Sequence, residues 1–292
     1  MEFVGGQAVV EGVLMRGGNK LAIAVRDPFG NIIVKEEIVE SYTKKHKILN
    51  LPLIRGSVVL FETTVLGLKA LNHSANIAVQ DEEHKEEKLG FFSILGTIAL
   101  SILMALFLFK FVPLSIAQLA SMYNPSFNNR ILFNLTEGLA KIGILIGYIY
   151  VISLMADVKR VFQYHGAEHK VVNAWENNDL ENAKKYSTLH VRCGTSFILF
   201  VVFLSIFVYL FLPVTMNFWA KYGLRILLLP VIAGVGYELI KFSPKYEKNI
   251  LFKMIIAPGL WLQKLTTREP DEHQIEVAKT ALMAVTKKEV VL

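Results

Sequence analysis

The sequence predicts an α-helical polytopic membrane protein of about four spans, with a small N-terminal cytoplasmic β region and a cytoplasmic C-terminal helix. Three observations carry that expectation. Hydrophobic residues make up 53% of the 292 positions and the mean hydropathy is +0.43, above the usual range of a soluble domain. Apolar runs at roughly 92–112, 139–156, 196–213 and 224–241 each approach the ~20 residues that cross a bilayer core. Lysine and arginine gather at the ends of those runs, so the net charge of +6 reads as membrane orientation and no DNA partner is expected. The single cysteine, Cys193, excludes an intramolecular disulfide and fits a reducing compartment. The start Met1-Glu2-Phe3 has no basic region before an apolar stretch, so a cleaved secretory signal is not expected.

Residues 1–50 form the β region. Leu21, Ile23 and Val25 alternate with Ala22 and Ala24, the Asp27–Asn31 stretch has turn chemistry, and Ile32 to Val39 is a second β-rich run. Ahead of them, an apolar segment bracketed by Gly5-Gly6 and Gly17-Gly18 contains Glu11 and Arg16, two charges expected to have buried partners. Residues 51–90 hold an amphipathic helix and a charged linker. Arg55, Glu62, Lys69 and Asn76 recur every seven residues as one polar stripe over 52–78, suited to a membrane surface or a bundle. The run Asp81 to Lys88 reads as solvated, with no role for His84.

Residues 91–156 contain the first two spans, with Pro113 near the outer end of the first. Glu137 and Lys141 are expected at headgroup level, and Tyr148, Tyr150, Trp219 and Tyr222 suit interfaces. Residues 157–195 form a cytoplasmic loop and 196–243 the third and fourth spans. The 157–194 stretch holds Lys159, Arg160, Lys170, Lys184, Lys185 and Arg192, and the C-terminal region adds Lys241, Lys245, Lys248, Lys253 and Lys264. The connections at 113–131 and 213–223 carry chiefly Arg130 and Lys221, so both termini are expected in the cytoplasm of an inner-membrane protein. In 244–292, an interfacial or re-entrant stretch broken by Lys253 and Pro258-Gly259 precedes a soluble helix. Pro270 and Asp271 open that helix, and Ile275, Leu282 and Val285 form its apolar face.

Chemistry concentrates in His165-Gly166-Ala167-Glu168-His169. Histidines four apart share one helix face and can grip one divalent cation, and H-x-x-E-H is the reversed zincin order. The loop ends in His190-Val191-Arg192-Cys193, which antiparallel spans would return to the same membrane surface. His165, His169, His190 and Cys193 are therefore the metal-ligand candidates, with Glu238 a weaker carboxylate option and zinc the favoured ion. Glu168 is the candidate base that activates metal-bound water, and Arg16 and Glu11 are candidates to reach the site, Arg16 to orient an anionic substrate group. His46, His73 and His273 read as ordinary surface or structural residues. No Walker loop, Rossmann glycine pattern or G-x-S-x-G occurs.

Four separated runs carry a resemblance. They are Gly5 to Arg16, Tyr164 to Lys170, Arg192 to Ser196, and Thr267 to Pro270 with Gln274 to Ala278. They resemble the bacterial YqhQ-like membrane family nearly end to end. That resemblance implies a predicted metal-dependent enzyme, and the family's gene neighbourhoods imply a translation-linked partner. The sequence thus predicts a cytoplasm-facing metal-dependent hydrolase contacting membrane lipid and an unidentified substrate. Its alternative is a non-catalytic scaffold or assembly factor that docks a cytoplasmic protein or the ribosome. A transporter would carry midplane charges, and the runs show few.

Overall fold

The computed structural model describes residues 4–79, 91–242 and 250–286; the charge run with His84, together with Lys245 and Lys248, lies outside them. Strands β1 (Val4–Val9), β2 (Gly12–Gly17), β3 (Lys20–Arg26) and β4 (Ile32–Ile38) form an antiparallel meander in chain order. The glycine-bracketed segment is therefore a hairpin, one more than the alternation predicts. Its two-residue turn puts Glu11 at φ 49°, and the next turn uses Gly18 at φ 59°. Period-two alternation gives the sheet two buried faces. Leu14, Leu21, Ile23 and Val25 pack with Ala70 and Ile77 of helix α2 (Ile54–Ala78). Val13, Met15, Ala22 and Ala24 pack against α6 (Ala156–Glu176) and α11 (Glu272–Thr286). The β region is thus completed by helices from the middle and end of the chain. Between β4 and α2 lie a short helix, α1 (Tyr42–Lys45), and a 3₁₀ turn where β structure was expected to continue.

The polar stripe on α2 is split: Arg55 pairs with Glu238, Glu62 is buried, and Lys69 and Asn76 face outward. The interior side of this helix carries Gly56, Gly67, Ala70 and Ser74, while Phe61, Leu68 and Leu71 are exposed.

Three helical stretches are long and apolar enough to cross a membrane, Gly96–Tyr123, Arg130–Ile152 and Phe218–Leu239. The first joins α3 (Phe91–Leu106) to α4 (Val112–Tyr123) through a π-helical turn over Phe107–Phe111. Pro113 was expected near the outer end. The wider turn precedes the residue that lacks an N–H, and the helix continues to Tyr123. Helix α5 (Arg130–Ile152) starts well before 139, so Glu137 and Lys141 are not at headgroup level; both are buried. Helices α8 (Phe218–Leu227) and α9 (Leu229–Phe242) make up the third stretch.

The expected third span is α7 (Gly194–Tyr209), whose 16 residues extend ~24 Å, short of a ~30 Å hydrocarbon core. Helix α10 (Ile250–Thr266) runs through Pro258 without the expected break. It lies so close to α7 that a Cβ at Gly259 would stand 2.7 Å from Ser196. Exposed Leu100, Leu103, Leu139 and Phe207 give the long helices the apolar exterior that lipid, not water, accommodates.

Candidate metal centre

The stretch expected as a loop is mostly helix α6, and its sequence places H-x-x-E-H on the buried side facing the sheet and α10. His165 and His169 stand one turn apart with ring centroids separated by 4.4 Å. Cys193, at the N-cap of α7, closes the group: one nitrogen from each histidine and the Cys193 sulfur all lie within 4.8 Å of one another. Tetrahedral zinc holds neighbouring N and S donors about 3.3–3.8 Å apart. A contraction of about 1 Å, within the reach of rotamer adjustment, therefore brings this set to ligand geometry.

The hydrogen bonds around the rings determine which nitrogens are free. His165 Nδ1 lies 2.8 Å from the Thr266 carbonyl and His169 Nδ1 lies 2.5 Å from the Thr188 carbonyl. A carbonyl only accepts, so both Nδ1 atoms carry the proton and both Nε2 lone pairs remain available. This carbonyl–imidazole arrangement is the outer support that metal-binding histidines use. His165 Nε2 then accepts from the Cys193 thiol at 3.2 Å, a proton whose place a cation can take. The sulfur also meets the Thr195 hydroxyl at 3.1 Å and accepts from the Thr195 amide at 3.4 Å. Burial pushes the thiol up to about 11, against the pull of those Thr195 donors. Burial, then the neighbouring His165, holds the His169 imidazole down to about 3, neutral as a ligand must be.

Glu168 is buried beside this group, and its Oε1 accepts the Gly6 amide at 3.1 Å. Burial raises its carboxyl to about 6, with His165 and the Gly6 N–H opposing the shift. Gly6 permits the approach, because a Cβ there would stand 3.2 Å from the Glu168 carboxyl carbon and 2.4 Å from the Leu14 carbonyl oxygen.

Arg16 and Glu238 lie elsewhere. His190 is beside the group, its ring centroid 5.7 Å from that of His169, but it is not among the three converging donors. Gln263 grips its backbone from both sides, accepting from His190 N at 2.9 Å and donating to His190 O at 2.8 Å, and the imidazole lies 3.4 Å from Glu176. The turn that follows sends Cys193 inward. Arg16 is opposite Leu21 in the β2–β3 register and so faces α2, whereas Glu168 meets the sheet at Gly6 on the α6 face. A one-residue step along a strand reverses the face, and Arg16 cannot orient a substrate at the His-His-Cys group. Glu11 pairs with Arg160 and accepts from the Tyr164 hydroxyl at 3.2 Å, tying the hairpin turn to α6 beside His165. Its ion partner Arg160, on α6, is half-exposed rather than buried as expected. Glu238 is held by Arg55, with Nε to Oε1 at 2.6 Å. The supporting carbonyls of Thr188 and Thr266 had no sequence signal, since every residue offers a carbonyl. Gly6 had one, in its glycine pair.

The fold and site together define an α-helical membrane protein with a sheet-backed domain that presents a His-His-Cys cluster at the mouth of its helix bundle. A family model described as "Protein of unknown function (DUF1385)" matches residues 51–288, and the chain belongs to that family. It is 38% identical over 287 residues to "Uncharacterized protein YqhQ" of Bacillus subtilis (strain 168), covering 94% of this chain and 89% of that protein. No solved structure matches the chain.

Proposed function

We propose that this is a membrane-embedded, metal-dependent enzyme, a hydrolase, with a divalent cation held by His165, His169 and Cys193 on the cytoplasmic side. The observation that carries the reading is the pair of Nδ1-to-carbonyl hydrogen bonds that aim two Nε2 lone pairs towards one thiol. Two nitrogens and a sulfur favour zinc over harder cations, and three protein donors leave the open position that distinguishes catalytic from closed structural sites. When bound, such an ion polarises a carbonyl or phosphoryl oxygen and brings water towards neutral acidity. Glu168, fixed by the Gly6 amide, is the group placed to take a proton there. The lysines and arginines of the 157–194 segment support a cytoplasmic placement of this side.

Metal analysis of the full chain, purified without chelators, tests the reading. About one equivalent of zinc is expected in wild type and in His190→Ala, and a loss of tenfold or more in His165→Ala, His169→Ala and Cys193→Ser. Metal-free wild type, or loss in His190→Ala equal to that in His169→Ala, would overturn it. Glu168→Gln separates enzyme from scaffold. An enzyme keeps its metal but fails to complement a deletion strain, whereas a scaffold complements fully.

A further inference from the structure

The interior of the helix bundle holds a second collection of charges, remote from the His-His-Cys group and not foreseen from the apolar runs. Lys110, Lys141, Lys221 and Arg225 are all buried, with exposures of 8%, 3%, 5% and 2%, and the acid among them is Glu137 at 1%. They come from the π-helical turn, α5 and α8. Tyr209, at the end of α7, neighbours three of them: Lys110 Nζ, Lys141 Nζ and the Arg225 guanidinium carbon lie 5.5, 4.8 and 4.8 Å from its ring centroid, while Lys221 Nζ lies 4.5 Å from that of Phe133.

Charge does not balance among the described residues. Glu137 is committed to Arg225, which donates from Nε at 2.8 Å and from Nη2 at 2.7 Å to Oε2. Lys141 reaches Glu137 and the Ser205 hydroxyl only at 3.4 Å each. Lys110 donates to the Tyr209 hydroxyl at 3.0 Å and Lys221 to Gln118 Oε1 at 3.0 Å, both neutral acceptors. Four cations against one carboxylate leave a formal excess of three positive charges. Lys110 and Lys141 lie near the middle of Gly96–Tyr123 and Arg130–Ile152, some ~16–21 Å from either helix end, too deep to snorkel to a headgroup layer. Aromatic faces ease such charges but do not neutralise them. Excess like charge inside a membrane bundle is costly and marks a ligand or ion pathway.

We infer that Lys110, Lys141, Lys221 and Arg225 form an intramembrane binding site for an oxyanion of the phosphate type. The planar guanidinium and mobile ammonium groups match such an anion. A lipid phosphate reaching inward and free inorganic phosphate share this chemistry, and the test has one arm for each. Full-length protein in neutral detergent is titrated calorimetrically with inorganic phosphate. In parallel, it is reconstituted in nanodiscs of phosphatidylcholine with or without phosphatidylglycerol, and co-purifying lipid is counted. Wild type is expected to take up one phosphate, or to retain one phosphatidylglycerol in excess of the bulk ratio. Lys110→Met and Lys221→Met are expected to weaken whichever arm is positive tenfold or more, and Lys110→Arg to retain it. Methionine matches lysine in size and adds no buried charge, so these variants keep the packing, and an unchanged melting temperature without phosphate checks this. Absence of binding in both arms, or undiminished binding in both methionine variants, overturns the inference and identifies the lysines as buried in neutral form.

Discussion

A Cβ at Gly166 would stand 2.1 Å from the Arg268 carbonyl oxygen, a backbone atom that cannot swing aside. Helix α6 and the 266–268 turn touch there because that position has no side chain, and the contact brings the Thr266 carbonyl to His165 Nδ1. Gly166→Ala therefore parts the turn from the helix and releases His165 from its support. Metal retention is expected to fall by 10–100-fold with all three donors intact, as losses of outer-shell partners do. Competition with a chromogenic chelator measures it, and wild-type retention would show that the carbonyl contact is incidental. At this scale the sequence was legible where a side chain has its own signature. The four-residue spacing of His165 and His169 needs only helix periodicity, and Cys193 needs only that two chain segments return to one surface. Arg16 was misplaced because its face depends on strand register, which its apolar neighbours do not specify. His190 comes beside the group without joining the three donors, its backbone set by Gln263, 73 positions away.

Among the elements, α11 shows local rules and tertiary packing in agreement. Asp271 Oδ1 accepts the Gln274 amide at 2.8 Å, and Gln274 Oε1 accepts the Asp271 amide at 2.9 Å, a reciprocal capping box at the helix start. Ile275, Leu282 and Val285, the face read from periodicity, are buried against the sheet. Asp271→Ala is expected to cost about 1 kcal/mol, lowering the melting temperature by about 2–4 °C. A melt unchanged within half a degree would mean that packing alone positions the helix. Of the four apolar runs read as spans, three fall in helices long enough to cross a membrane, and their extent was not legible. Polar residues shorten an apolar run on paper, yet in α5 the buried Glu137 is met by Arg225 from another helix and Lys141 lies inside the bundle beside Tyr209, so the helix extends back to Arg130. Pro258 was read as a break, although a helix already packed along α7 tolerates the one hydrogen bond that proline removes.

In the whole molecule, α7 separates two polar centres. Cys193 caps one end of that helix and Tyr209 closes the other, ~24 Å away. The His-His-Cys group therefore lies beside the sheet-backed domain, while the cationic cluster lies deeper, towards the turn that joins α4 to α5. If α5 crosses the membrane with its C-terminal end in the cytoplasm, the orientation that the lysine and arginine distribution favours, exposed Ser126 before it and exposed Asn177 after α6 face opposite compartments. Buried Cys193 gives a low background, so cysteines placed singly at those positions can be read with a membrane-impermeant maleimide. Ser126→Cys should label in intact cells or spheroplasts, and Asn177→Cys only after permeabilisation. Labelling of both from one side would mean that α5 does not cross, and the reverse pattern would put the candidate metal centre outside, on the oxidising side. The expected pattern leaves Cys193 in the compartment that keeps thiols reduced, and there the phosphate-type site can be approached only through lipid or from the opposite face. The two centres would then draw on different pools of molecules, one cytoplasmic and one membrane-borne or external, with α7 as the rigid element connecting them.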